Sequence, residues 1–145
     1  MYVVHVGTWD SGPFDNDTAA DFSIDLEEAD PDHRVDLLRQ ALVDTAEEEN
    51  YLDSDEAFVA IASAAIVASQ LPGGEPVTVA YAPQFLLDDP VMDLPPDLAP
   101  LAVRALDHIM ADESEWRALW QEAFEADRDG AFETIRRLRE VLATS

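Results

Sequence analysis

A chain of 145 residues, 48% of them hydrophobic, has the material for one core, because domains of this size bury roughly 70% of the surface their unfolded chains expose. Eight arginines and no lysine against 32 acidic residues give a net charge of −24, which repels phosphate and argues against nucleic acid or an anionic membrane as partner. With no cysteine, disulfides, thiolate catalysis and Cys-based metal sites are excluded, and no window approaches the ~20 apolar residues of a membrane span.

The chain starts with a β-prone run, Met1 to Val6, too short and too poor in basic flank for a targeting signal. A soluble, cytoplasmic protein is therefore expected. The first helix is predicted from Asp15 as N-cap, with Asn16 and Asp17 in the first turn and Phe14 stapled onto Ala19. It should run to about Glu28, and its apolar Ala19, Phe22 and Leu26 share one face. Asp30-Pro31 restarts the chain as N-cap and first helical residue. Val35, Leu38, Ala41 and Leu42 form the core stripe of that second helix, and Glu47 to Asn50 end it.

Ser54, with Asp55 and Glu56, opens a third helix in which Phe58, Ile61, Ala62, Ala65 and Ile66 leave hardly any polar side, so it should be central and buried. From 71 to 96 the chain carries six of its nine prolines and the pair Gly73-Gly74, which forbid a long helix. This crossover holds a second short strand over 77–81, able to pair with residues 1–6. Helix returns at Asp97, with Leu98, Leu101, Ala105, Leu106 and Ile109 in register. Asp112 to Glu115 restarts it before Trp116, Leu119, Trp120 and Phe124. Asp129-Gly130 should break the chain ahead of a last amphipathic helix with Phe132, Ile135, Leu138 and Leu142. The expected fold is mainly α, a single-domain bundle over 1–145 of about six helices with a short two-stranded β element.

No pattern commits the chain to an enzyme. There is no Gly-x-Ser-x-Gly elbow, and Gly73-Gly74 lacks the lysine and helix of a phosphate loop. Asp15-Asn16-Asp17 fails as a calcium loop, since Ala20 and Leu26 stand where glycine and glutamate are needed. His108 and Asp112 share a helical turn beside Glu113, but such pairs arise by chance at this acid density and a helix C-terminal histidine is commoner. No cofactor or resident metal is expected. Trp116 and Trp120, at helical spacing with Leu119 and Phe124, read as core. Glu113 to Arg117 and Glu133 to Arg137 are four-residue pairs, and Arg136, Arg137 and Arg139 form the one mildly basic corner.

Asp17, Asp21, Asp25 and Glu28 follow one another at four, four and three residues with no arginine among them. Each like-charge pair costs a few tenths of a kcal/mol. Such a row is either tolerated by a well-packed domain or used to meet positive charge.

The opening Gly7-Thr-Trp9-Asp-Ser-Gly12-Pro-Phe14-Asp15-Asn16-Asp17 resembles the start of a bacterial family known as a domain of unknown function, DUF4259-like. Its members begin Gly-x-Trp-Gly-x-Gly-x-Phe-Asp-Asn-Asp. Pro95 to Leu98, Ala102 to Leu106 and Ser114 to Glu122 look like that family's later helices. Asp10 replaces the usual glycine, and Met1 to Val6 extends ahead of the motif. The resemblance implies a fold and singles out the turn Trp9, Asp10, Gly12, Phe14, Asp15, Asn16 and Asp17, without naming a chemistry. Three readings follow. An interaction or inhibitor-type protein, immunity-like in size and charge, would dock a basic protein through Asp17, Asp21, Asp25 and Glu28. A small-ligand or divalent-cation binder, or an enzyme, would use the Trp9 to Asp17 turn, with Asp10, Asp15 and Asp17 as ligands. In the third, the acidity only reflects a high-salt cytoplasm or a GC-rich genome.

Overall fold

The computed structural model describes residues 17–74, 94–123 and 125–144. Six helices occur within them: α1 (Asp17–Glu28), α2 (Pro31–Ala46), α3 (Ser54–Ser69), α4 (Leu98–Ile109), α5 (Glu115–Gln121) and α6 (Glu125–Ala143). No strand occurs among the described residues. The β element expected over 1–6 and 77–81, the expected N-cap Asp15 and most of the 71–96 crossover lie outside them.

The lack of a polar side makes α3 the axis of the bundle. Every residue from Ala60 to Ala68 is buried, and α3 touches each of the other five helices. Six of its buried residues are alanines, Ala57, Ala60, Ala62, Ala64, Ala65 and Ala68, so neighbouring backbones can approach from several directions. Its hydroxyls are satisfied inside the helix: Ser63 Oγ donates to the Val59 carbonyl at 2.9 Å and Ser69 Oγ to that of Ile66 at 2.6 Å. No water or distant partner is needed there.

Around this axis the core divides in two. The larger part joins α3 to α4, α5 and α6 through Leu98, Ala102, Leu106, Ile109, Trp116, Trp120, Ile135 and Leu142. The smaller one holds α1 down by Ala19, Phe22 and Leu26 against Ala62, Ala65 and Ile66 of α3 and Leu38 of α2. Trp116 and Trp120 are core residues, 3% and 5% exposed. Their rings lie 6.2 Å apart, and Phe132 of α6 packs 5.9 Å from Trp116.

One boundary differs from the sequence expectation. Asp129-Gly130 does not break the chain; α6 runs through it from Glu125 to Ala143. A glycine inside a helix costs about 1 kcal/mol relative to alanine. Here the burial of Ala131 and Ile135 outweighs that cost, and Thr134 Oγ1 donates to the Gly130 carbonyl at 3.0 Å.

The helix ends show how the elements are tied. Asp97 precedes α4 but makes no side-chain cap bond. Its carboxylate is gripped by both terminal nitrogens of Arg39 on α2, Nη2 to Oδ1 at 3.2 Å. That bond holds the Asp97 carboxyl below its usual range. After α3, Leu71-Pro72-Gly73-Gly74 closes a turn, the Gly74 N–H donating to the Leu71 carbonyl at 3.0 Å. Gly73 sits at φ +87°, the left-handed conformation that the third position of a Pro-Gly type II turn demands.

The loop between α2 and α3 is stitched to the loop between α4 and α5. The Leu52 N–H donates to the Glu113 carbonyl at 2.9 Å, and the Glu115 N–H to the Leu52 carbonyl at 2.8 Å. Glu115 Oε1 accepts the Ser54 N–H at 2.7 Å, so a residue of α5 caps the start of α3. Ser114, fully buried, caps α5 by accepting the Arg117 N–H. Replacing Ser114 by alanine is expected to cost about 1 kcal/mol, the usual loss for a cap. The check is a lower urea midpoint with an unchanged slope.

Candidate functional site

The burial of Ala19, Phe22, Ser23 and Leu26 turns the opposite side of α1 outward. Asp17, Asp21, Asp25 and Glu28 are all exposed there. Two contacts fix the helix at its ends. Near its start Thr18 Oγ1 donates to Asp55 Oδ1 of α3 at 3.0 Å. At its end Arg34 of α2 donates from Nε to the Leu26 carbonyl at 2.7 Å and from Nη2 to the Glu27 carbonyl at 3.2 Å. A cation there satisfies carbonyls that the helix leaves open and complements the negative end of its dipole.

Those contacts place one arginine at the end of the acidic row. All eight arginines lie among the described residues, and where the other seven stand decides the field of the row. Arg39 pairs with Asp97, Arg117 with Asp112 at 2.9 Å, and Arg128 with Glu125 and Asp129. Arg136 and Arg137 share Glu133, Arg137 at 3.0 Å, and Arg139 binds Asp107 at 2.6 Å. Arg104 stands exposed on α4. No ion pair of the described residues includes Asp17, Asp21, Asp25 or Glu28. Among the described residues the row is therefore a stretch of negative charge that takes part in no ion pair.

One sequence expectation changes here. Arg117 does not pair with Glu113; its Nη1 reaches Asp112 and the Met110 carbonyl at 2.8 Å, because Ser114 starts a new helix and breaks the four-residue register between Glu113 and Arg117. In the corner of Arg136, Arg137 and Arg139, Glu133 takes the first two and Asp107 the third, so three guanidinium groups meet two carboxylates and the corner stays mildly basic. Among the described residues no group of His, Asp or Glu is arranged to hold a metal, and Asp112, the neighbour of His108, is engaged by Arg117.

Of the turn Trp9, Asp10, Gly12, Phe14, Asp15, Asn16 and Asp17, only Asp17 is described, as the exposed first residue of α1. The rest, and with them the cation-binding reading through Asp10 and Asp15, lie outside the described residues. No helix among the described residues is long and apolar enough to cross a membrane.

A family model described as a domain of unknown function, DUF4259, matches residues 7–131. The chain belongs to this family. The match takes in α1 to α5 and the first turns of α6, so the helices that build and hold the acidic face are part of the DUF4259 unit. No curated protein and no solved structure matches the chain.

The DUF4259 description carries no activity, so chemistry rests on the surface itself, and one residue of that surface escapes the sequence pattern. Ile24 is 51% exposed. On a helix it neighbours Asp21 three residues before and Glu28 four after, which places an apolar side chain inside the carboxylate row. Its only signal in the sequence is an isoleucine on the polar side of an amphipathic helix. Tyr51, 55% exposed in the loop before α3, is the other large hydrophobic residue at the described surface.

Proposed function

We propose that this DUF4259 protein is an interaction protein that docks a basic protein partner on the outer face of α1. Asp17, Asp21, Asp25 and Glu28 supply the charge and Ile24 an apolar contact at its centre. The single observation that supports the reading is that, among the described residues, no ion pair engages a face whose carboxylates stand side by side. A partner's lysines and arginines would relieve repulsion that the free protein carries, and they would be steered to the face by the field of a −24 chain. A central apolar residue ringed by polar ones is the anatomy of a binding patch, in which the apolar contact carries affinity and the charges carry specificity and on-rate.

The test compares the wild-type chain with one carrying Asp17→Asn, Asp21→Asn, Asp25→Asn and Glu28→Gln, both used to capture partners from the host's soluble proteins. The wild type should retain a basic protein at low salt and release most of it when the salt is raised well above the physiological level, where the screening length shrinks toward roughly 3 Å. The neutralised chain should bind at least ~10-fold more weakly, a loss of about 1.4 kcal/mol, while its fold becomes slightly more stable as the like-charge pairs vanish. A basic partner held equally by both chains would take the site off α1. Failure to retain any basic protein at low salt would remove the reading altogether.

A further inference from the structure

Packing gives α1 one broad neighbour, α3, whereas each of the other five helices packs on at least two. The grip of α1 is apolar and short: Ala19, Phe22 and Leu26 meet Ala62, Ala65 and Ile66 of α3, joined by Leu38 of α2. Ser23, buried on the same side, donates from Oγ to the Ala19 carbonyl at 3.1 Å and so is satisfied inside its own helix. The side-chain ties to the neighbouring helices lie at the two ends, Thr18 to Asp55 at the start and Arg34 to the Leu26 and Glu27 carbonyls at the finish.

The two ends are not equal. The tie at the start is one bond between exposed side chains, which water can replace at little cost. The tie at the finish is a charged fork, with Nε of Arg34 at 2.7 Å from the Leu26 carbonyl in partly buried surroundings and Nη2 at 3.2 Å from that of Glu27. It acts where α1 is weakest by itself. The last turn has no basic residue of its own and carries Asp25, Glu27 and Glu28 against the negative end of the helix dipole. Asp17 and Asp21, Asp21 and Asp25, and Asp25 and Glu28 are like-charge pairs that oppose the helix along its whole outer side. At 12 residues, α1 has about the least length at which an isolated helix is even marginal. By contrast α3 is buried without interruption from Ala60 to Ala68, so it cannot open unless the core comes apart.

We propose that α1 is a latched flap with Arg34 as its latch: it leaves α3 as a unit while the rest of the bundle stays folded, and positive charge reaching its outer face holds it shut. The latch is a property of the free chain. Its use in regulation rests on the proposed docking of a basic protein, whose lysines and arginines would cover Asp17, Asp21, Asp25 and Glu28. Opening breaks the bonds to Arg34 and Asp55 and uncovers Phe22 and Leu26. Because the four carboxylates share one side only while the helix is intact, a partner that reads them binds the closed arrangement and draws the equilibrium toward it.

The experiment is amide hydrogen exchange, followed residue by residue by NMR on the free full chain and corrected for intrinsic rates. The wild type is compared with Arg34→Gln, with Arg34→Lys, with the chain carrying Asp17→Asn, Asp21→Asn, Asp25→Asn and Glu28→Gln, and with Arg104→Gln, a control of equal charge change at an exposed arginine of α4. In the wild type the amides of Phe22 to Leu26 should exchange at least ~100-fold faster than those of Ala62 to Ile66. Arg34→Gln should speed α1 by a further ~10-fold, the loss expected for hydrogen bonds from a charged donor, and leave α3 as it was. Arg34→Lys should recover part of this, since the charge stays and the fork is lost. The neutralised chain should slow α1 several-fold, and Arg104→Gln should match the wild type. Equal exchange of α1 and α3 in the wild type, or a joint rise of both in Arg34→Gln, would overturn the proposal by making α1 part of one cooperative unit. An α1 unmoved by Arg34→Gln, or moved as much by Arg104→Gln, would remove the latch, and an α1 no slower in the neutralised chain would remove the part played by charge. No partner enters the measurement, so its failure is distinct from a failure to capture a basic protein.

Discussion

Replacing Trp116 by alanine is expected to destabilise the protein by about 3–5 kcal/mol, the range for removing a buried large aromatic side chain. That is a sizeable part of the ~5–15 kcal/mol that holds a domain of this size folded. Trp116 is 3% exposed and lies between Trp120 and Phe132, so its loss empties the contact by which α5 is bound to α6. The seven residues of α5 are too few to be stable as an isolated helix; packing must supply what propensity cannot. At about 2–4 °C per kcal/mol for a chain near this length, the midpoint of thermal unfolding should fall by roughly 10 °C or more. Trp116→Phe should recover most of the loss, since a ring remains in the gap. A midpoint for Trp116→Ala within about 2 °C of wild type would show that the tryptophan contact is not holding α5 in place.

Ala64→Leu is expected to be nearly as damaging for the opposite reason. Ala64 is fully buried in the larger core, on the one helix that all the others touch. An interior at crystal-like density has no room for three added carbon atoms, and overpacking of this kind costs about 1–3 kcal/mol and occasionally more. The added side chain would push a neighbouring helix away from α3, so the loss should come with weaker near-ultraviolet circular dichroism as the tryptophans lose their fixed surroundings. The same substitution at Ala20, half-buried on α1, should change stability by well under 1 kcal/mol. Equal tolerance at both positions would contradict the central packing of α3.

Most of the helical pattern was legible because each helix announces itself locally. The apolar spacing of α1, α2 and α4, the proline after Asp30 and the acidic run that ends α2 all rest on contacts within a few residues. Asp129-Gly130 misled because glycine's cost inside a helix is small beside the burial of Ala131 and Ile135, and burial is not visible one residue at a time. Arg117 misled because a four-residue spacing pairs charges only when a single helix spans it. Of the candidate site, the row of Asp17, Asp21, Asp25 and Glu28 followed from periodicity alone, and the exposed Ile24 within it is the part that periodicity passed over.

From residue order alone came the net charge, the helical class, the central place of the alanine-rich helix and the acidic line along α1, because these depend on composition and short-range spacing. Only the folded chain decided where the arginines that link separate helices go. Arg39 meets Asp97, Arg139 meets Asp107 and Arg34 meets the carbonyls of α1 because packing brings separate helices together. It also brought Leu52 to the start of α5, across a connection whose length says nothing of its partner. Charge pairing at a distance is an outcome of which apolar faces bury one another, and among the described residues that outcome leaves the outer face of α1 without an ion pair.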